Sequence, residues 1–177
     1  MSTTKVVTGK VRFSYAHVWE PVAINEDQKK KYSVSILVPK TEKKTLSRLE
    51  EAVQAALEEG KGKFGGKTPK NWKHPLRDGD EERPEDENYA GMMFFNANSD
   101  RAPGIVDANL DPIIDKDELY SGCYGRASVN FYAFNTSGNK GVACGLNNLQ
   151  KLEDGERLGG TVSSPEDDFG TDDDLLS

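Results

Sequence analysis

The chain has 177 residues and a formal net charge of −7, with 35% hydrophobic and 30% charged residues. This length fits one domain plus tails, since a domain usually takes about 100–200 residues. No apolar run reaches the roughly 18 residues of a membrane span, and the amino terminus lacks the apolar core of a secretory signal. The two cysteines, Cys123 and Cys144, are too few for a disulfide scaffold. We therefore expect a cytoplasmic protein from a reducing compartment.

The charges are distributed unevenly along the chain. Residues 1–77 carry 16 basic and 8 acidic residues, whereas residues 153–177 carry nine acidic residues and one basic residue. Because local charge sets the potential at a surface, the first half can attract a polyanion although the whole chain is acidic. We expect residues 1–152 to form one domain, and residues 153–177 to form a disordered acidic tail.

Two strands are predicted near the amino terminus. Residues 5–19 and 31–38 alternate apolar and polar side chains, as half-buried strands do, and a polar loop at 20–30 separates them. In the second strand, Ser33 and Ser35 should lie opposite the apolar face.

One long helix and a long insertion follow. Apolar residues recur at spacings of three and four over residues 42–59, which predicts a helix with Thr41 as its N-cap and Gly60 as its end. Residues 61–88 should form an irregular insertion. Its first part, to Arg77, has six bases and no acids, and the rest has seven acids and one base. Long loops in compact domains are usually functional or disordered.

The second half predicts further strands. Residues 89–98 have a strand pattern, residues 99–122 are rich in turns, and strands at 123–135 and 142–152 flank turn residues and should pair as a hairpin. At least five strands with one long helix indicate a mainly β (α+β) fold. An OB-fold-like five-stranded barrel with long loop insertions suits this pattern.

The strand at 123–135 has two different faces. One face is core-like, with small and apolar residues such as Val129 and Phe131. The other combines aromatic, basic and amide side chains, which suits neither a pure core nor a purely solvated surface: Tyr124, Arg126, Ser128, Asn130, Tyr132 and Phe134.

No catalytic motif is present in the sequence. The two histidines, His17 and His74, are far apart, and no nucleophile, phosphate-loop or zinc motif accompanies them. Carboxylates between Asp100 and Asp117 could hold Mg²⁺ in a metal-dependent nuclease, but they are spaced as loosely as those of an ordinary solvated loop. We expect no enzyme activity, no metal and no cofactor.

Basic residues interleaved with aromatic residues instead indicate a surface that binds single-stranded DNA. Such binders neutralise phosphates with lysine and arginine and stack bases on aromatic side chains. The basic insertion, with its glycines, could clamp a strand, although a plain solvated loop remains the alternative. The predicted DNA-binding residues are Lys10, Arg12, Tyr15, Trp19, Lys31, Lys61, Lys63, Lys67, Lys70, Trp72, Lys73, Arg77, Arg101, Tyr124, Arg126, Tyr132 and Phe134.

The acidic tail has two predicted roles. It can compete with DNA for the protein's own basic groove, and it can present a short acidic and hydrophobic peptide to partner proteins. The predicted partner-binding residues are Asp167, Asp168, Phe169, Asp172, Asp173, Asp174, Leu175 and Leu176. A solubility tail, or an adaptor protein that binds no nucleic acid, are the alternatives.

Two segments of the sequence are distinctive: YSVSILVPKTEKKTLSRLEEAVQAA and the longer stretch from NANSDRAPGIVDANLDP to LNNLQKLEDGERLGG. Within the second, DELYSGCYGRASVNFYAFN followed by GVACGLNNLQK is the most specific part. Both segments resemble a bacteriophage single-stranded DNA-binding family. The resemblance spans roughly residues 5–160. It implies an OB-fold and non-catalytic binding of single-stranded DNA in phage replication, recombination or repair, so the partners of the tail would be phage or host replication and recombination proteins. A homo-oligomer or a cooperative assembly on DNA is a separate option.

Overall fold

The structure is a computed structural model that describes residues 4–23, 29–136 and 139–158. Strands dominate it, and one helix is long. The strands are β1 (Lys5–Val7), β2 (Val11–Val22), β3 (Lys31–Pro39), β4 (Arg77–Asp78), β5 (Met92–Ser99), β6 (Gly104–Val106), β7 (Tyr124–Thr136) and β8 (Asn139–Glu153). The helices are α1 (Lys43–Glu59) and the single turn α2 (Gly79–Glu82), with 3-10 turns at Lys61–Phe64 and Glu87–Tyr89.

All eight strands belong to one sheet. Strand β7 pairs along one edge with β1 and then β2, and along its other edge with β8, all antiparallel. Strand β2 pairs with β3 and β3 with β5, and a parallel bridge from Asn98 to Gly145 joins β5 to β8. The pairings therefore return to β7. The mainly β architecture with one long helix is as predicted, as is the β7–β8 hairpin.

The core lies on the inner face of this sheet. In β7, Val129 and Phe131 are buried while Tyr132 is exposed, so the alternation predicted for this strand is confirmed. Both cysteines, Cys123 and Cys144, are also buried in the core. The side chains of β7 that face outward are therefore available to form part of a surface site.

Helix α1 packs against β7 through one apolar face. Leu49 and Val53 on this face are fully buried, and Gly60 ends the helix as predicted. A Cβ at Gly60 would lie 2.2 Å from the Cβ of Ala133, so only glycine allows this close approach. The predicted N-cap is wrong. A turn that runs from Pro39 to Glu42 makes Glu42 the residue before the helix, and it has no capping side-chain bond.

Two predicted segments have more structure than expected. The strand predicted at 5–19 is interrupted at Thr8–Lys10, where the Gly9 N–H donates to Thr45 Oγ1 (3.2 Å) and ties the chain to α1. The insertion at 61–88 is not wholly irregular, because it contains β4, α2 and the two 3-10 turns. The insertion leads directly into Tyr89, whose side chain is buried.

The chain stays packed on the fold through Leu158, beyond the predicted boundary at residue 152. The Leu158 N–H donates to the Ser121 carbonyl (2.9 Å), and the Tyr120 hydroxyl donates to Asp154 Oδ1 (3.0 Å). The residues of the predicted tail from 159 onward, including all those predicted to bind partners, lie outside the described residues. In the part of the chain that the structure describes, no helix is long and apolar enough to cross a membrane.

Candidate functional site

An acidic segment covers part of the outer face of strands β2, β3 and β5. We call residues 78–91 the acidic cap. Tyr89 of the cap packs with Leu37 and Phe94 of the sheet in a small apolar cluster separate from the main core. Lys40 fastens the cap by bonding Asp78 (2.8 Å) and Asp80 (2.7 Å). These hydrogen bonds raise the pKa of Lys40 and lower the pKa values of both aspartates.

The rest of the same face is open and polar. We call His17, Ser33, Asn96 and Asn98 the polar band, because their strand positions are adjacent in register: His17 pairs with Ser33, and Ser33 pairs with Asn98. Where the band meets the cap, Ser35 is buried, and its hydroxyl has no hydrogen-bond partner among the described residues. The band offers hydroxyl, imidazole and amide groups without a carboxylate, so it can approach an anionic strand without repulsion.

Two tyrosines flank the polar band. Tyr132 on β7 is 42% exposed, and its ring lies against Gly145, the residue of β8 that bridges to Asn98. Tyr15 on β2 is 51% exposed at the border with the cap. Partial burial raises the pKa of the Tyr132 hydroxyl, with the nearby Asp100 adding to the effect, so this ring stays neutral. Both rings are exposed enough to stack on a base.

Basic residues lie at one end of the band. Lys31 begins β3, and Arg101 follows the end of β5, so both lie beside the paired residues Tyr32 and Ser99. Both basic side chains are exposed. This end of the face can therefore neutralise phosphates next to the polar band.

The basic insertion is fastened to the β7–β8 hairpin. Lys63 Nζ donates to the Ala133 carbonyl (3.0 Å), and the backbone of Lys73 bonds to both Lys140 and Val142. Its aromatic residue, Trp72, is partly buried and stacks on His74 with ring centroids 5.0 Å apart. Lys67 and Lys70 are exposed, whereas Lys61 forms an ion pair with Glu58. The insertion therefore forms a fixed basic border beside Phe134, and its tryptophan belongs to the packing.

Four other predicted residues form a separate group at the opposite end of β7. Lys10 and Arg12 both lie over the ring of Tyr124, at 5.2 and 5.4 Å from its centroid. Lys10 pairs with Glu153, and Arg12 donates to the carbonyls of Gly122 (3.0 Å) and Glu156 (2.8 Å). The fourth, Arg126, donates through Nε to the Thr8 carbonyl (2.9 Å). This group fastens the last described residues of the chain to the fold.

Two further predicted residues make structural contacts away from the band. Trp19 Nε1 donates to the Leu119 carbonyl (2.9 Å), and Arg77 pairs with Glu82 at 3.5 Å. The predicted alternative metal ligands instead form turns, since Asp107 accepts backbone N–H bonds from residues 109 and 111. Within the described residues, no group of three or more histidine, cysteine or carboxylate side chains could hold a metal ion.

Sequence reasoning missed several residues of this face. Asn96 and Asn98 alternate with the buried Phe95 and Ala97, so the period of two in β5 could have identified them. Arg83 was also missed, because it stands in a run of acidic residues and no local pattern predicts its position beside aromatic rings.

The sequence and structure match known phage proteins. The family described as "Enterobacter phage Enc34, ssDNA-binding protein" matches residues 4–176. A relative, the putative protein p50 of Acyrthosiphon pisum secondary endosymbiont phage 1, is 30% identical over 174 residues, which cover 92% of this chain and 91% of that protein.

Solved structures share the fold. The single-stranded DNA-binding protein from bacteriophage Enc34, in complex with single-stranded DNA, superposes with a TM-score of 0.79 at 20% identity, covering 88% of this chain and 90% of that one. The single-stranded DNA-binding protein gp2.5 of bacteriophage T7 superposes with a TM-score of 0.60 at 16% identity, covering 93% and 99%. Because the family match spans nearly all of the sequence, the chain belongs to the phage Enc34 single-stranded DNA-binding protein family.

Proposed function

We propose that this protein binds single-stranded DNA, without enzymatic activity, during phage DNA replication, recombination or repair in the cytoplasm of the host cell. Membership of a family of DNA-binding proteins supports binding over the nuclease alternative. The observation that carries the proposal is the polar band between two half-exposed tyrosines, Tyr15 and Tyr132. Stacking on these rings and phosphate neutralisation at the band's borders require no particular base sequence.

The DNA path that we propose crosses the polar band. Tyr132 and Tyr15 stack bases, and Phe134 extends the aromatic surface toward the hairpin. Lys31 and Arg101 neutralise phosphates at one end, and the lysines of the insertion do so at the hairpin side. The group of Lys10, Arg12, Tyr124 and Arg126 would contact a strand that continues along the outer face of β7.

We propose that the ring of strands β2, β3, β5, β8 and β7 is an OB-fold barrel, since its pairings return to the strand from which they start. We further propose that the acidic tail competes with DNA for the basic residues of the fold and, when displaced, binds replication proteins. The opposite charges of residues 1–77 and 153–177 support this competition.

A salt titration tests the binding mechanism. We expect oligo(dT) affinity to fall with salt at a log–log slope of about −0.7 for each phosphate contacted, and to persist in mixed-sequence oligonucleotides. Arg126→Ala should lower both the affinity and the slope if the strand continues along β7. Fluorescence anisotropy with labelled oligonucleotides measures both quantities. Salt-independent binding, or a need for one base sequence, would contradict the mechanism.

A further inference from the structure

Tyr15 is held in an unusual backbone conformation. Its φ is +46°, a left-handed value that a bulky residue adopts only under constraint. It lies where the pairing of β2 with β3 shifts register, between Ser14 and His17. Bulges of this kind re-aim side chains, and strained residues persist only where the surrounding structure holds them. The fold therefore directs the Tyr15 ring to the border of the polar band at an energetic cost.

The cap supplies a cation to this ring. Arg83 follows α2, and its guanidinium carbon lies 5.8 Å from the centroid of the Tyr15 ring. The same group lies 5.2 Å from the ring of Tyr89 and 5.7 Å from that of Phe94. These distances are within the range of cation–π attraction.

The charge of Arg83 is directed toward aromatic rings although acids surround it in sequence. Residues 78–87 contain seven acids, with Arg83 as their one base. In the described part of the chain, no ion pair joins Arg83 to any of them. Tyr89 is buried and anchors the cap to β2, because its hydroxyl donates a hydrogen bond to Ser14 Oγ (3.4 Å), next to Tyr15.

We propose that Arg83 is a positioning residue for DNA binding, which holds the Tyr15 ring so that its free face stacks on a base. This rests on the proposed function and adds to it a residue outside the predicted binding set. The guanidinium acts through the ring and contacts no phosphate. Its removal should therefore weaken binding without changing the number of counterions released.

The test is a double-mutant cycle on Tyr15 and Arg83, read by oligo(dT) affinity over a range of salt concentrations. Arg83→Met keeps a long apolar side chain and removes the charge. We expect it to weaken binding by about two- to thirtyfold, the range that a cation–π contact supports. The salt slope should not change, and Arg83→Lys should restore part of the affinity. In the Tyr15→Ala background, Arg83→Met should have no further effect.

A charge-matched control is Arg48→Met, at an exposed position on α1. If Arg83→Met weakens binding no more than Arg48→Met does, Arg83 has no special role and the proposal is wrong. A slope reduced by about 0.7 would show a phosphate contact instead. A full effect of Arg83→Met in the Tyr15→Ala background would show that Arg83 acts independently of the ring. Failure of the unmodified protein to bind oligo(dT) would refute the proposed function itself.

Discussion

Phe131 and Tyr132 are consecutive residues of β7 on opposite faces, so their alanine variants should separate stability from binding. Phe131 is 1% exposed and packs on Phe95, with ring centroids 5.8 Å apart. Emptying such a site costs about 3–5 kcal/mol of unfolding free energy. Tyr132 is 42% exposed, so Tyr132→Ala leaves no comparable cavity. Its loss should instead weaken DNA binding by about 1–3 kcal/mol, the contribution of one stacked base.

The two variants are measured by denaturant unfolding and by oligo(dT) titration. A loss of 1–3 kcal/mol in binding corresponds to a dissociation constant about 5- to 150-fold higher. Tyr132→Ala should show this change with an unaltered salt slope, because no charge is removed. Folded Phe131→Ala protein should bind nearly normally. Native-like affinity of Tyr132→Ala would refute the assignment of the outer face as the stacking surface.

Three further outcomes are expected. Gly125→Ala should destabilise the fold, since a Cβ there would lie 2.0 Å from the Gln150 carbonyl oxygen; thermal unfolding measures this. The pKa values of Asp78 and Asp80 are lowered in the folded protein, so their ionised carboxylates stabilise the cap at pH values above the ordinary carboxyl pKa of 3.8. This stabilisation should be lost as the pH falls through the lower pKa values of the folded state. An acid titration monitored by hydrogen exchange of the cap measures the loss, and exchange that does not change over this pH range would contradict it. Deleting residues 161–177 should tighten oligo(dT) binding, most at low salt, where the attraction between the tail and the basic residues is screened least. If full-length and truncated protein bind oligo(dT) with equal affinity at both low and high salt, the tail does not compete with DNA.

The sequence predicted those features that depend on local pattern. The alternation in β7 identified Phe131 as core and Tyr132 as surface, and the spacing of apolar residues located α1. The N-cap prediction at Thr41 failed because a turn with Pro39 shifts the helix start by one residue, which is a matter of backbone geometry.

Contacts between segments that are distant in the chain could not be predicted from the sequence. Ser35 was predicted to lie opposite the apolar face of its strand, but its burial there depends on packing with segments distant in the chain and could not be predicted. Trp19 and Arg12 bond to backbone carbonyls about a hundred residues away, and no local pattern in the sequence predicts these contacts. For the same reason, composition could not separate the tyrosines flanking the band from aromatic residues used in packing.

The burial of both cysteines has a practical chemical consequence. Exclusion of water raises the pKa of Cys123 and Cys144, so almost no thiolate forms at neutral pH. The thiolate is the species that reacts with maleimides and oxidants, and neither sulfur is accessible to them in the folded state. A cysteine introduced at the exposed Thr136, at the end of β7, would then be the site labelled selectively by a fluorophore. Such a probe could report DNA binding without replacement of the native cysteines.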